Sequence, residues 1–158
     1  MAEEKYIIIE GEDVLTRSPH PQIPAPGFWV AGRNLGGLNW SIGIEPITQP
    51  VLMVPETYVH DFDDFLGFYG ANPLDLSDFQ AEVWMFLGAD RKKIVITKPT
   101  FIYIPGGTLH CPLWFKRIDK PIVFCHSFAA PSYVRQVIPS EITELAAGED
   151  IPDMADLG

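Results

Sequence analysis

Positive charge is scarce in this chain. Lys and Arg total 11 of its 158 residues against 21 Asp and Glu, a formal net charge of −10. Binding to nucleic-acid backbones rests on basic side chains that neutralise phosphates, so this balance opposes that class of partner and disfavours anionic membrane surfaces by the same argument. Cysteine is also rare. Cys111 and Cys125 are too few for a disulfide scaffold and read as reduced thiols in strands. No apolar run approaches the roughly 20 residues of a membrane-spanning helix. The opening "MAEEKYIIIEGED" lacks the basic flank and long apolar stretch of a secretory signal. The expected location is the cytoplasm, with no membrane partner.

What is abundant is punctuation. Fifteen prolines and thirteen glycines break a chain that is 47% hydrophobic into short runs. Those runs are rich in Val, Ile, Phe, Tyr and Trp, the signature of many short strands. They read "KYIIIE", "GFWVAG", "NWSIGIEPI", "PVLMV", "DFLGFYG", "AEVWMFLG", "KIVIT", "TFIYI", "HCPLWFKRI" and "PIVFCHSFA". Regular spacing of this kind predicts an all-β sandwich or barrel. Only "SEITELAAGED" reads as a helix, with Ser140 as N-cap and Glu141 in its first turn. No internal boundary interrupts 1–158, which reads as one domain: N-terminal strands over 5–45, a barrel core over about 45–130, and a C-terminal helix and tail over 139–158.

One pattern repeats. "ITQPVLMVP" is followed after four residues by His60, and "ITKPTFIYIP" after four residues by His110; "IDKPIVFC" leads directly into His126. Proline opens a strand and the next proline ends it, because proline has no N–H for the ladder. Before His110, Pro105-Gly106-Gly107 is tight-turn chemistry. Alternation along a regular strand puts Tyr58, His60, Phe62, Asp64 and Leu66 on one face, with Asp61 and Asp63 turned to water. It likewise puts His110, Pro112 and Trp114 on one face, with Cys111 turned away. Two histidines and a carboxylate that converge with open positions form the triad that binds Fe(II), and also Mn or Zn.

These residues carry a resemblance. The segment from about Val51 to Phe115 resembles a cupin, a jelly-roll β-barrel. The second cupin motif runs G, five residues, P-x-G, two residues, H, three residues, N. Pro105, Gly107 and His110 match it, while Pro99 stands for the first glycine and Trp114 for the asparagine. The first motif is H-x-H, three or four residues, then Glu, and later Gly. His60 matches its second histidine, Asp64 stands for the Glu, Gly70 falls one residue early, and Tyr58 occupies the first histidine position. The resemblance implies a cupin-type double-stranded β-helix in which the glycine-rich turn aims His110 into the barrel beside His60. Asp64 would enter from the next strand.

It also implies a divalent transition metal (Fe, Mn, Zn or Ni) held by His60, Asp64 and His110. Tyr58 is assigned the catalytic hydroxyl, beside the ion and not on it. Glu82, His126 and Trp114 are further candidates for the pocket or its ligand set, and "GANPLDLSDFQAE" is read as an insertion near the barrel mouth. The favoured activity is that of a metal-dependent enzyme on a small, aromatic or oxygen-chelating substrate. Oxygenase-like chemistry leads, with isomerase and lyase chemistry sharing the scaffold. The alternative is a non-catalytic small-molecule-binding or sensor module with a degenerate metal site. A homodimer is expected, since pairing protects exposed edge strands.

Overall fold

The computed structural model describes residues 5–133 and 136–138. In chain order the strands are β1 (Leu15–Thr16), β2 (Gly27–Val30), β3 (Ser41–Ile47), β4 (Val51–Val54), β5 (Thr57–Val59), β6 (Asp64–Gly70), β7 (Ala81–Leu87), β8 (Lys92–Ile96), β9 (Thr100–Ile104), β10 (His110–Ile118), β11 (Ile122–Phe128) and β12 (Gln136–Ile138). They pair antiparallel into two sheets. One has the order β1-β2-β3-β11-β6-β9; the other has β12-β5-β10-β7-β8, with β4 also lying along β10. The proline-punctuated runs predict the all-β class, and the arrangement is the jelly roll that the resemblance implies.

Alternation fills the space between the sheets. Val83 and Met85 of β7 and Leu113 and Phe115 of β10 face Leu66 and Phe68 of β6 and Phe124 of β11, all of them buried. Phe68, Phe115 and Phe124 form a three-ring contact across the sheets, with centroids 5.2–6.1 Å apart. Aromatic pairs of this kind add about 0.5–1.5 kcal/mol each beyond their buried area. This part of the barrel is filled, and the space left over lies toward the ends of β6 and β10 that carry Asp64 and His110.

Two expectations change here, and a third falls where the structure gives no description. "KYIIIE" forms no strand, and Tyr6, Ile7 and Ile8 are exposed; β-branched residues favour a strand only where a neighbour pairs with them. The segment 71–80 lies at the other end of the barrel from the histidines. It leaves β6 after Gly70, six residues beyond Asp64, and enters β7 at Ala81, which pairs with Ile118, eight residues beyond His110. At roughly 3.3 Å per residue it lies about 20 Å from them, too far away to cover them. The predicted C-terminal helix lies outside the described residues. Among the described residues no helix is long and apolar enough to cross a membrane.

Candidate metal centre

The Pro105–Gly107 turn is built to dock. Gly107 N–H donates to the His60 carbonyl at 2.7 Å, and Gly106 N–H donates to Asp63 Oδ1 at 2.9 Å. Gly107 sits at φ +82, a conformation that L side chains rarely adopt, and a Cβ on Gly106 would lie 2.7 Å from the Asp61 carbonyl oxygen. The two glycines thereby let the turn close onto the His60–Asp63 bend. His110 then emerges opposite Tyr58 in the β5–β10 register. Although the strand breaks between Val59 and Asp64, Tyr58, His60, Phe62, Asp64 and Leu66 are all buried while Asp61 and Asp63 stay exposed. The alternation survives the bend.

The result is a cluster of three donors, His60, Asp64 and His110, whose ligand atoms all lie within 4.8 Å of one another. Asp64 Oδ2 is 2.7 Å from His60 Nε2 and 3.6 Å from His110 Nε2. Adjacent donors in an octahedral shell of about 2.1 Å radius lie about 3 Å apart, so the two Asp64 distances suit neighbouring positions on one ion, and the widest pair of the cluster would close slightly to share it. The tautomers fit as well. His60 Nδ1–H donates to the Phe62 carbonyl and His110 Nδ1–H to the Thr108 carbonyl, each at 2.9 Å. A neutral ring so anchored turns the Nε2 lone pair toward the Asp64 carboxylate, which calls for a cation between them, either a proton or a metal ion. Burial pushes the His110 imidazole below its ordinary value and keeps it neutral near pH 7. Burial pushes the Asp64 carboxyl up, but with a proton in that gap the hydrogen bonds from His126 and His60 outweigh it and hold the group at about 2.

His126 belongs to this cluster. Its Nε2 lies 2.9 Å from Asp64 Oδ1, so the second carboxylate oxygen is held from β11. The Tyr58 ring is buried on the same wall, and its hydroxyl donates to Glu56 Oε2 at 2.7 Å. Trp114 and Glu82 go elsewhere. The β10–β7 register shifts between His110 and Leu113, where three residues of β10 span two of β7. That bulge reverses the alternation. Trp114 consequently leaves the interior and packs with Leu52 and Trp84 on the outer face, while Cys111, at φ +71, turns inward and lines the cavity. Glu82 accepts a hydrogen bond from Trp84 Nε1 at 2.7 Å on that outer face.

The cluster opens into a cavity of about 670 Å³. Several of its residues give little sign in the sequence. Tyr133 presents its ring to His60, Phe62, His126 and Phe128 at centroid distances of 5.4–5.9 Å. Glu45, Trp29, Arg17, Arg33 and His20 also line the space. On β3 the buried residues are Ser41, Gly43, Glu45 and Ile47, whereas Ile42 and Ile44 are only half-buried. This polar inward face is the sign of a cavity wall, and hydrophobicity alone reads it backwards. Burial pushes the Glu45 carboxyl up, against a hydrogen bond from Ser18 and the attraction of His126.

The sequence matches no protein-family model and no curated protein. Solved structures do match. The polyketide cyclase RemF of Streptomyces resistomycificus superposes with a TM-score of 0.55 at 8% identity, covering 87% of this chain and 88% of that one. An oxalate oxidase gives 0.54 at 14% identity, covering 96% and 72%. Oxalate decarboxylase from Bacillus subtilis covers 77% of this chain at 12% identity and a TM-score of 0.48, and the present chain spans 31% of that one. At these identities the likeness is one of fold, and the three proteins differ in what their names say they do.

Proposed function

We propose, on the premise that this chain has the cupin fold, that it is a metal-dependent protein whose His60, Asp64 and His110 hold a divalent transition ion for work on a small organic substrate. The observation that carries this is the donor geometry: three buried ligand atoms within 4.8 Å, with both histidines anchored through Nδ1. Mixed nitrogen and carboxylate donors suit Fe, Mn, Zn or Ni and leave the choice among them open. A bound ion would supply Lewis-acid or oxygen-activating chemistry at its open positions, and oxygenase-like chemistry is the activity favoured here.

The chain's own contribution is orientation and dryness. The Phe62 ring stacks on His60 at 4.0 Å, nearly parallel, and fixes the plane of the imidazole. His126 holds Asp64 Oδ1 and leaves Oδ2 toward the two Nε2 atoms. Tyr133 and Phe128 shield the group from solvent on the side of β11. A second reading, a binding module that performs no reaction, is favoured by Tyr58. Its hydroxyl is engaged with Glu56, and a neutral phenol is a poor ligand where a cupin would place a histidine.

The test is metal content. Protein purified without added metal, then reconstituted in turn with Fe, Mn, Zn and Ni, should hold one equivalent by plasma emission. His110→Ala should lose it. Full occupancy in His110→Ala, or no retention of any of the four ions, would sink the assignment. An ion held without turnover of any substrate by the loaded protein would favour the module.

A further inference from the structure

We infer that the ligand of this site is an organic carboxylate with an apolar body, its carboxylate held at the cavity mouth by Arg17 and Arg33. The inference rests on the reading of the cavity as a substrate site, and it places the other end of the molecule against the His60–Asp64–His110 centre.

The first support is the distribution of charge. In a chain with 11 basic and 21 acidic residues, two arginines line one cavity. Among the described residues neither guanidinium has a carboxylate or side-chain hydrogen-bond partner. An arginine that merely offsets surface acidity has acids of this chain to pair with; these two, both exposed, line the cavity instead. The guanidinium fork matches a carboxylate through two parallel N–H···O bonds, which a lysine does not do.

The second support is that both arginines stand on pinned turns. Beside Arg17, the Ser18 hydroxyl donates to the buried Glu45 at 2.5 Å and accepts from His20 N–H at 3.0 Å. Beside Arg33, Gly32 N–H donates to the buried Ser41 hydroxyl at 2.9 Å, and that hydroxyl donates to the Ala130 carbonyl at 2.7 Å. Arg33 N–H itself donates to the Pro131 carbonyl at 2.9 Å, tying this turn to the segment that carries Tyr133. A Cβ at Gly32 would overlap the Leu38 carbonyl oxygen, so the tight turn needs glycine there. A buried donor on the wall, Trp29 Nε1, has no acceptor among the described residues.

The third support is the space between. Met53, Leu66, Leu113 and Phe124 give the cavity an apolar middle. Its volume of about 670 Å³ falls within the roughly 300–1,000 Å³ of pockets that bury a drug-sized molecule, more than a compact diacid fills. Orientation follows from charge. Without an ion Asp64 repels a free carboxylate at the inner end, while the arginines attract one at the mouth in either metal state, so the metal-stripped protein isolates their contribution.

The probe pair is 6-hydroxy-2-naphthoate and its neutral carboxamide, measured by isothermal titration calorimetry on Mn-loaded and metal-stripped protein. The acid should bind about tenfold more tightly than the amide in both metal states, the gain of one good charge-assisted contact. The double variant Arg17→Gln/Arg33→Gln should remove that preference and leave amide binding, far-UV circular dichroism and metal content unchanged. Equal binding of acid and amide, or no detectable binding of the acid, would overturn the inference. So would a preference that survives the double variant, or one that exists only in the Mn-loaded protein, since the anion then sits at the ion. Failure of the metal reading looks different: no ion is retained, yet the arginine-dependent preference persists.

Discussion

His126 and Asp64 meet across adjacent strands of one sheet, with Nε2 2.9 Å from Oδ1 although 62 positions separate them. The other oxygen of the same carboxylate lies 2.7 Å from His60 Nε2. One imidazole therefore holds Asp64 from behind while the other two face the oxygen that would meet an ion. Partners of this kind fix the direction of a ligand as well as its charge.

His126→Phe keeps a ring among Phe124, Phe128 and Tyr133 and removes only the hydrogen bond. It should weaken Mn or Zn binding by about 10–100-fold, the usual cost of losing such a partner, with thermal unfolding of the metal-free protein changed little. Competition against a chromogenic chelator measures the affinity. Unchanged affinity would show that Asp64 needs no support from β11. In the same assay Asp64→Asn should release the ion, whereas Glu82→Gln, on the outer face, should not.

Cys111 adopts φ +71 beside the bulge that turns His110 into the barrel. A β-branched side chain is a poor fit to that conformation. Cys111→Val, close in volume, should lower stability by on the order of 1 kcal/mol, a fraction of the cost that any side chain already carries in that conformation. Because the same bulge aims His110, metal affinity should fall with it. Urea titration and chelator competition check the two effects separately. A variant as stable as the parent would show that the backbone relaxes without the bulge.

The strands were legible because each side of the chain's alternation meets a different medium. Even the Tyr58–Leu66 face was readable through a broken strand, since the bend leaves all five of its residues on the buried side. At Cys111 the same rule fails, because a bulge is set by how β10 registers on β7 and leaves no mark on local hydrophobicity. The centre itself, His60 with Asp64 and His110, was visible from motif spacing. Its surroundings were not. Arg17, Trp29 and Arg33 reach the cavity only through the β1–β2–β3 pairing, a long-range contact that "SPHPQIPAPG" and "AGRNLGG" do not announce.

Glu45 gives a pH signature of its own. Burial raises its carboxyl above the ordinary 4.5, so the folded protein holds this proton more firmly than the unfolded chain does. The associated stability is fully present below the unfolded value and is lost as pH rises through the folded one. Glu45→Gln keeps the shape and an acceptor for Ser18 while removing the charge. Its Tm should equal that of the parent near pH 4 and exceed it at pH 8, by a difference on the order of a few degrees. A Tm deficit for the variant at pH 8 would mean that ionised Glu45 is stabilised by its neighbours and that burial is not the dominant effect.

Tyr58 separates the two functional readings. Its ring is 3% exposed and packs in the core, and its hydroxyl donates to Glu56. Tyr58→Phe leaves Glu56, only partly buried, free to take water instead, so the stability cost should stay near ~1 kcal/mol. Metal content should not change, because the hydroxyl is not one of the clustered donors. If activity disappears while the ion stays, Tyr58 supplies a hydroxyl to the reaction. If metal and turnover both persist, its role is packing. Tyr58→His offers a further nitrogen donor where the cupin pattern expects one and should tighten metal binding while narrowing the open positions on the ion. Direct ligation by a phenolate makes a visible claim: a ferric form coloured by charge transfer that bleaches in Tyr58→Phe would move Tyr58 into the ligand set. The hydrogen bond to Glu56 would then have to break when iron binds.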